Sequence, residues 1–146
     1  MARILVVDDD ALVGKAVRTM LEALGHNVIV ADGGHSALPA LEMFAFDMVM
    51  IDIIMPGMNG LDVIKAVREN APDATIVAMS GYAFQGGSTD RDYLALAKTF
   101  GANHCMRKPF RPKDLIEAIE ICIGLPDLEF SKPSADSKKR DRTLRA

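Results

Sequence analysis

Asp8, Asp9, Asp52, Ser80, Lys108 and Pro109 all stand at the ends of short apolar runs, and together they carry the groups needed to handle a phosphate. Three carboxylates held within a few ångströms repel one another and raise each other's pKa unless a cation offsets the field. Mg²⁺ meets that need, because it favours octahedral oxygen ligation and keeps several waters. One or two carboxylates from Asp8, Asp9 and Asp52, a backbone carbonyl and a phosphate oxygen would complete its shell. Asp52 is then free to attack phosphorus and form an acyl phosphate. Lys108 can neutralise one equatorial oxygen as a compact cation, and Ser80 can donate its hydroxyl to another. Each residue alone has an ordinary explanation, such as a turn for Ser80 or a solvated charge for Lys108. Acid pair, acid, hydroxyl and lysine in that order at separate run ends are a set that unrelated loops would rarely supply.

The runs read as strands. Arg3–Val7 (RILVV) is too short for a helix and apolar throughout, as expected of a strand buried on both faces. Asn27–Ala31, Met48–Ile51, Thr75–Met79 and His104–Arg107 repeat the pattern. Helical spacing fills the intervals. Leu12, Ala16, Met20 and Leu24 form one stripe, with Asp10 as N-cap and Gly25 as stop. Gly34–Phe44 is a second helix, in which Pro39 predicts a kink or a late start because it lacks a backbone donor. A third runs from Leu61 to Asn70 after the turn MPGMNG, and a fourth spans Asp90–Thr99 with Gly101 as its stop. Pro112 opens a fifth, with Leu115, Ile116, Ile119 and Cys122 on its apolar face. Strands alternating with helices imply an α/β fold around a five-stranded parallel sheet with right-handed crossovers. In such sheets ligands bind beyond the carboxyl ends of the strands, where all the residues named above stand.

The chain has 146 residues, 49% hydrophobic and 25% charged, with net charge −3, which suits one domain and offers no basic footprint for nucleic acid. Residues 1–125 are expected to form the domain. Residues 126–146 are polar enough to stay disordered, carrying +2 against −5 for the rest. The start MARILVV lacks the features of a signal peptide, and no segment reaches the roughly 18 apolar residues of a membrane helix, which points to the cytoplasm. Cys105 and Cys122 have no metal-ligand spacing and read as buried thiols.

VVDDD at Val6–Asp10, DIIMPGMNG at Asp52–Gly60, AMSGY at Ala78–Tyr82 and KPF at Lys108–Phe110 resemble the response-regulator receiver family, over about Arg3 to Gly124. The resemblance implies a doubly wound, CheY-like (flavodoxin-like) fold, with strand order 2-1-3-4-5 and five flanking helices. It makes Asp52 the phosphoacceptor, Asp9 a direct Mg²⁺ ligand, Asp8 a ligand through water and Ile54 a ligand through its carbonyl, with Ser80 and Lys108 reading the phosphate. The implied donor is a phosphohistidine on a histidine kinase or a histidine phosphotransfer protein. His26, His35 and His104 are then structural or surface residues.

The chain departs from the pattern in three places. Cys105 stands where receivers often carry a switching aromatic. The Gly81–Thr89 connection is longer than usual, and its Gly86–Gly87 pair predicts a mobile loop that takes over the readout. Ile54 and Tyr82 put bulky groups beside the site, where they should impede attacking water and prolong the phosphoryl group's life. The sequence thus reads as a single-domain response regulator of a two-component or phosphorelay system, a phosphoprotein rather than an enzyme. It would switch contacts with an unknown protein target and make no direct contact with nucleic acid or membrane. The alternative is a Mg²⁺-dependent phosphohydrolase of the haloacid-dehalogenase kind, with Asp8 of the Asp8-Asp9-Asp10 run as nucleophile. It lacks an acidic pair after Lys108 and a cap-sized insertion.

Overall fold

In a computed structural model of the chain, described for residues 1–55, 59–80 and 95–123, the runs of β-branched and long apolar residues form one parallel sheet. Its strands are β1 (Arg3–Val7), β2 (Asn27–Ala31), β3 (Met48–Asp52), β4 (Thr75–Ser80) and β5 (His104–Arg107), in the order β2-β1-β3-β4-β5. The helices are α1 (Ala11–Ala23), α2 (Gly34–Met43), α3 (Gly60–Asn70), α4, whose described part is residues 95–100, and α5 (Pro112–Ile123).

The period of two along each strand divides the core into two layers. Ile4, Val6, Met48, Met50, Val77 and Met79 face α1 and α5. Leu5, Val7, Val49, Ile51, Ile76 and Ala78 face α2, α3 and α4. All twelve are fully buried. Burial of each large apolar side chain stabilises the fold by roughly 1.5–3 kcal/mol, so the central strands are its most resistant part. Their carboxyl ends are a rigid platform for a site.

Both predicted glycine stops are present. After α1, the Gly25 amide donates to Glu22 O at 3.0 Å and the His26 amide to Leu21 O at 3.1 Å, with Gly25 at φ 92°. After α4, Gly101 at φ 126° repeats the arrangement, its amide donating to Lys98 O and the Ala102 amide to Ala97 O. A positive φ in these paired bonds is where the missing Cβ of glycine avoids strain.

Three expectations need correction. The buried stripe of α1 is Gly14, Val17 and Leu21, while Leu12 is 79% exposed. The period was right and the face wrong. Gly14 lets the helix approach β2 so closely that a Cβ there would lie 2.9 Å from Val30 Cγ1, and this contact sets the rotation. In α5 the inward residues are Leu115, Ala118 and Ile119, and Ile116 is exposed. In α2 the late start, one of the two alternatives read at Pro39, does not occur: the helix runs from Gly34 to Met43 with Leu41 buried beyond the proline. Core packing of Ala37 and Leu41 outweighs the one donor lost. The proposed Gly81–Thr89 loop, the start of the fourth helix, Tyr82 and residues 126–146 lie outside the described residues.

Candidate functional site

Strand register brings the chemistry-bearing residues together. Val7 pairs with Ile51, so Asp8 and Asp52 emerge side by side from β1 and β3, and Asp52 pairs with Met79 just before Ser80 on β4. Ser80 pairs with Arg107 on β5, and the Lys108 amide continues the ladder by donating to Ser80 O at 2.7 Å. The Lys108–Pro109 peptide is cis.

The two inner carboxylates are held alike. Asp8 Oδ1 accepts the Asp10 amide at 2.9 Å, and Asp52 Oδ1 accepts the Ile54 amide at 3.0 Å. Each bond reaches two residues along the chain and fixes the carboxylate plane without using Oδ2. Both Oδ2 atoms face Lys108 Nζ, at 2.7 Å from Asp8 and 3.2 Å from Asp52. Asp8, Asp52 and Ser80 are the buried polar residues of the described chain, while Asp9 is exposed at the rim. Asp10 caps α1 by accepting the Leu12 amide, so the third acid of the run serves the helix.

Burial is the main reason the Asp52 carboxyl is pushed up to about 6, and the nearby Asp8 charge adds to it; the Ile54 amide and Lys108 pull the other way. For Lys108, burial works against the ammonium, but its bonds to Asp8 and Asp52 prevail and its pKa is raised.

Asp8, Asp9 and Asp52 each offer an oxygen, all within 4.8 Å of one another. Against the single Lys108 ammonium, these three acids would leave two uncompensated charges when ionised. A hard divalent cation with oxygen ligands fits that donor set, and Mg²⁺ is the natural candidate. Ile54 follows Asp52 by two residues and is half-buried; its amide is committed to Asp52 Oδ1.

MPGMNG was read as a turn and as part of the family resemblance, and its last two residues also cap α3 and pack against the end of β3. Asn59 Oδ1 accepts the Leu61 amide at 2.7 Å and caps α3. Gly60 lies so close to the end of β3 that a Cβ would fall 2.3 Å from Ile53 Cα and 2.4 Å from Asp52 O. An Asn-Gly pair at a helix start was the available signal.

Other candidates stay outside the chemistry. Cys105 is half-buried against the α2–α4 layer, and burial pushes its thiol up. His26 Nδ1 accepts the Ala2 amide at 3.0 Å, a structural contact, and burial followed by the charge of the N-terminus lowers its pKa.

The family described as Response regulator receiver domain matches residues 4–120. The chain belongs to that family. Its receiver is similar to chemotaxis protein CheY4 of Vibrio cholerae, with TM-score 0.74 and 28% identity over 84% of this chain and 98% of that one. A CheY-like receiver domain protein of Methanospirillum hungatei JF-1 gives TM-score 0.75 at 27% identity, covering 83% and 92%. Among curated relatives, the DNA-binding response regulator MtrA of Mycobacterium tuberculosis is 34% identical over 127 residues, 87% of this chain and 53% of MtrA. The transcriptional regulatory protein CpxR of Escherichia coli K12 is 34% identical over 123 residues, 84% and 50%. The chain spans about half the length of these two relatives. The observed strand order is the one expected for a CheY-like receiver.

Proposed function

We propose that this receiver accepts a phosphoryl group on Asp52 from a phosphohistidine of a histidine kinase or a histidine phosphotransfer protein. A carboxylate oxygen of Asp52 attacks phosphorus, the P–N bond breaks, and the imidazole nitrogen leaves with the bonding pair and is then protonated. The observation that carries this reading is the placement of Asp52, buried between Lys108 and the Ile54 amide at the end of a central strand. Fixing the carboxylate in advance lowers the entropic cost of in-line attack.

Lys108 has two duties in this reading. Before transfer it compensates Asp8 and Asp52, and after transfer its ammonium turns to a phosphoryl oxygen. Ser80, buried on the neighbouring strand, donates its hydroxyl to another. Asp8, Asp9, Asp52 and the Ile54 carbonyl would hold Mg²⁺, Asp9 directly and Asp8 through water. When bound, Mg²⁺ supplies the positive charge that a dianionic phosphoryl group needs beside three acids.

Phosphorylation then shifts the receiver between two conformations and alters its binding to a protein target. Moving such an equilibrium from mostly off to mostly on takes ~5.5 kcal/mol of differential interaction. The reading concerns the receiver unit, for which the acidic body gives no reason to propose nucleic-acid contact. Its catalytic part is confined to its own phosphorylation and slow dephosphorylation. Among the described residues no helix is long and apolar enough to cross a membrane, and we place the receiver in the cytoplasm with its donor. The Asp8 side chain is fully enclosed and lies nearer Lys108, at 2.7 Å, than that of Asp52, at 3.2 Å; this favours Asp52 as the nucleophile and speaks against the phosphohydrolase alternative.

The test is exposure to Mg²⁺ and acetyl phosphate, followed by peptide mapping of the adduct. Modification at Asp52 supports the reading, and modification at Asp8 or at any histidine contradicts it.

A further inference from the structure

At the rim opposite the phosphate site, a single side chain ties together the two strands that carry Ser80 and Lys108. Arg68, in the last turn of α3, donates from Nε and Nη2 to Gly101 O at 3.2 and 2.7 Å. Its Nη1 donates to Pro72 O at 3.0 Å and Ala74 O at 2.6 Å, and Nη2 also reaches Asn103 Oδ1 at 2.7 Å. All the donors of a guanidinium group are engaged, and every acceptor is an uncharged oxygen. Pro72 and Ala74 lead into β4, while Gly101 ends α4 and Asn103 leads into β5. Asn103 adds a second bridge, since its Oδ1 accepts the Ile76 amide at 2.8 Å and its own amide donates to Ile76 O at 2.8 Å. A Cβ at Gly101 would lie 2.9 Å from Arg68 Cγ, so the glycine stop of α4 is also the seat of the arginine.

We propose that Arg68 is the fixed pivot of the receiver's switch, a role that rests on the phosphoacceptor reading of Asp52. Phosphorylation perturbs β4 and β5 at Ser80 and Lys108, at the far ends of both strands. The arginine knot locks the near ends and the end of α4 to one another. Rearrangement at the phosphate rim therefore cannot be relieved by sliding β5 along β4, and α4 responds by turning about Gly101 rather than by shifting as a body. Lysine keeps the charge but has three donors and no planar fork, so it cannot replace the five bonds that the guanidinium makes to Gly101, Pro72, Ala74 and Asn103.

Amide hydrogen exchange on the full chain tests this, with Mg²⁺ and beryllofluoride as the phosphoryl mimic, in wild type, Arg68→Lys and Asp52→Asn. In wild type the mimic should change exchange at Ser80 and Lys108 while leaving Ile76, Gly101, Ala102 and Asn103 within about twofold. In Arg68→Lys those four should exchange at least roughly tenfold faster without the mimic, and mimic-induced changes should spread to them. Large mimic-induced changes at Gly101–Asn103 in wild type overturn the pivot, as does an Arg68→Lys pattern indistinguishable from wild type. The wild-type result decides even if the variant fails to fold. Absence of any Asp52-dependent response in wild type overturns the phosphoacceptor reading, and the pivot with it, and is recognised by the silent Ser80 and Lys108 amides.

Discussion

Lys108 donates to Oδ2 of Asp8 at 2.7 Å, more closely than to the proposed phosphoacceptor Asp52 at 3.2 Å. The ammonium thus serves chiefly as counter-ion to the acid that a divalent cation would share. Replacing it by Met leaves two buried carboxylates facing each other, which should cost the metal-free receiver about 3 kcal/mol. Mg²⁺ should recover a large part of that loss. Urea unfolding with and without Mg²⁺ measures both quantities, and an identical loss in the two conditions would contradict the shared-cation account.

The Asp52 carboxyl, pushed up to about 6, gives stability a definite pH dependence. Between an unfolded-state value of about 3.9 and the native value, the folded chain holds more protons than the unfolded one, so stability falls as pH rises through this window. Asp52→Asn removes this contribution. The metal-free variant should match wild type near pH 4 and exceed it by about 1–3 kcal/mol at pH 7. Urea midpoints across that range check the sign, and a variant less stable than wild type at pH 7 would refute it.

Gly60→Ala should reverse the usual helix preference. Alanine in a helix interior is worth about 1 kcal/mol over glycine, and less at a first position such as Gly60. Here its Cβ would collide with Ile53 Cα and Asp52 O, both backbone atoms that cannot rotate away. The expected outcome is a loss of about 1–3 kcal/mol from overpacking, with slower phosphorylation because Asp52 itself is displaced. Thermal melting and the rate of modification by acetyl phosphate report the two effects, and a stabilised variant phosphorylated at the normal rate would exclude the contact.

Ile54 follows Asp52 by two residues and is half-buried, and we propose that its bulky apolar side chain hinders attacking water. A long-lived phosphoryl group is expected in wild type, with Ile54→Asn shortening its half-life by roughly several-fold. Decay of the adduct after removal of the donor measures it. A wild-type half-life of seconds in Mg²⁺ would count against the shielding role.

The inner strands were legible in the sequence because β1, β3 and β4 are apolar runs buried on both faces, ending at the polar groups proposed for the site. The bounds Arg3–Val7, Asn27–Ala31 and His104–Arg107 were read without error, the last two even though β2 and β5 are partly exposed edge strands. Helix faces were harder. In α1 two apolar stripes lie one position apart, and a contact between Gly14 of the helix and Val30 of β2, invisible to periodicity, decides which is buried. Arg68 could not be found at all, since most of its partners are backbone carbonyls, and these carry no residue-type signal. Gly60 was hidden differently. Its turn-like neighbours explained the glycine well enough that the close approach to Asp52 went unread.

The central claim is that Asp52, held between Lys108 and the Ile54 amide, takes the phosphoryl group. Intact mass after incubation with Mg²⁺ and acetyl phosphate, on wild type and Asp52→Asn in parallel, tests it most directly. A single phosphoryl adduct on wild type and none on the variant is the predicted result. An adduct that survives the substitution would contradict it.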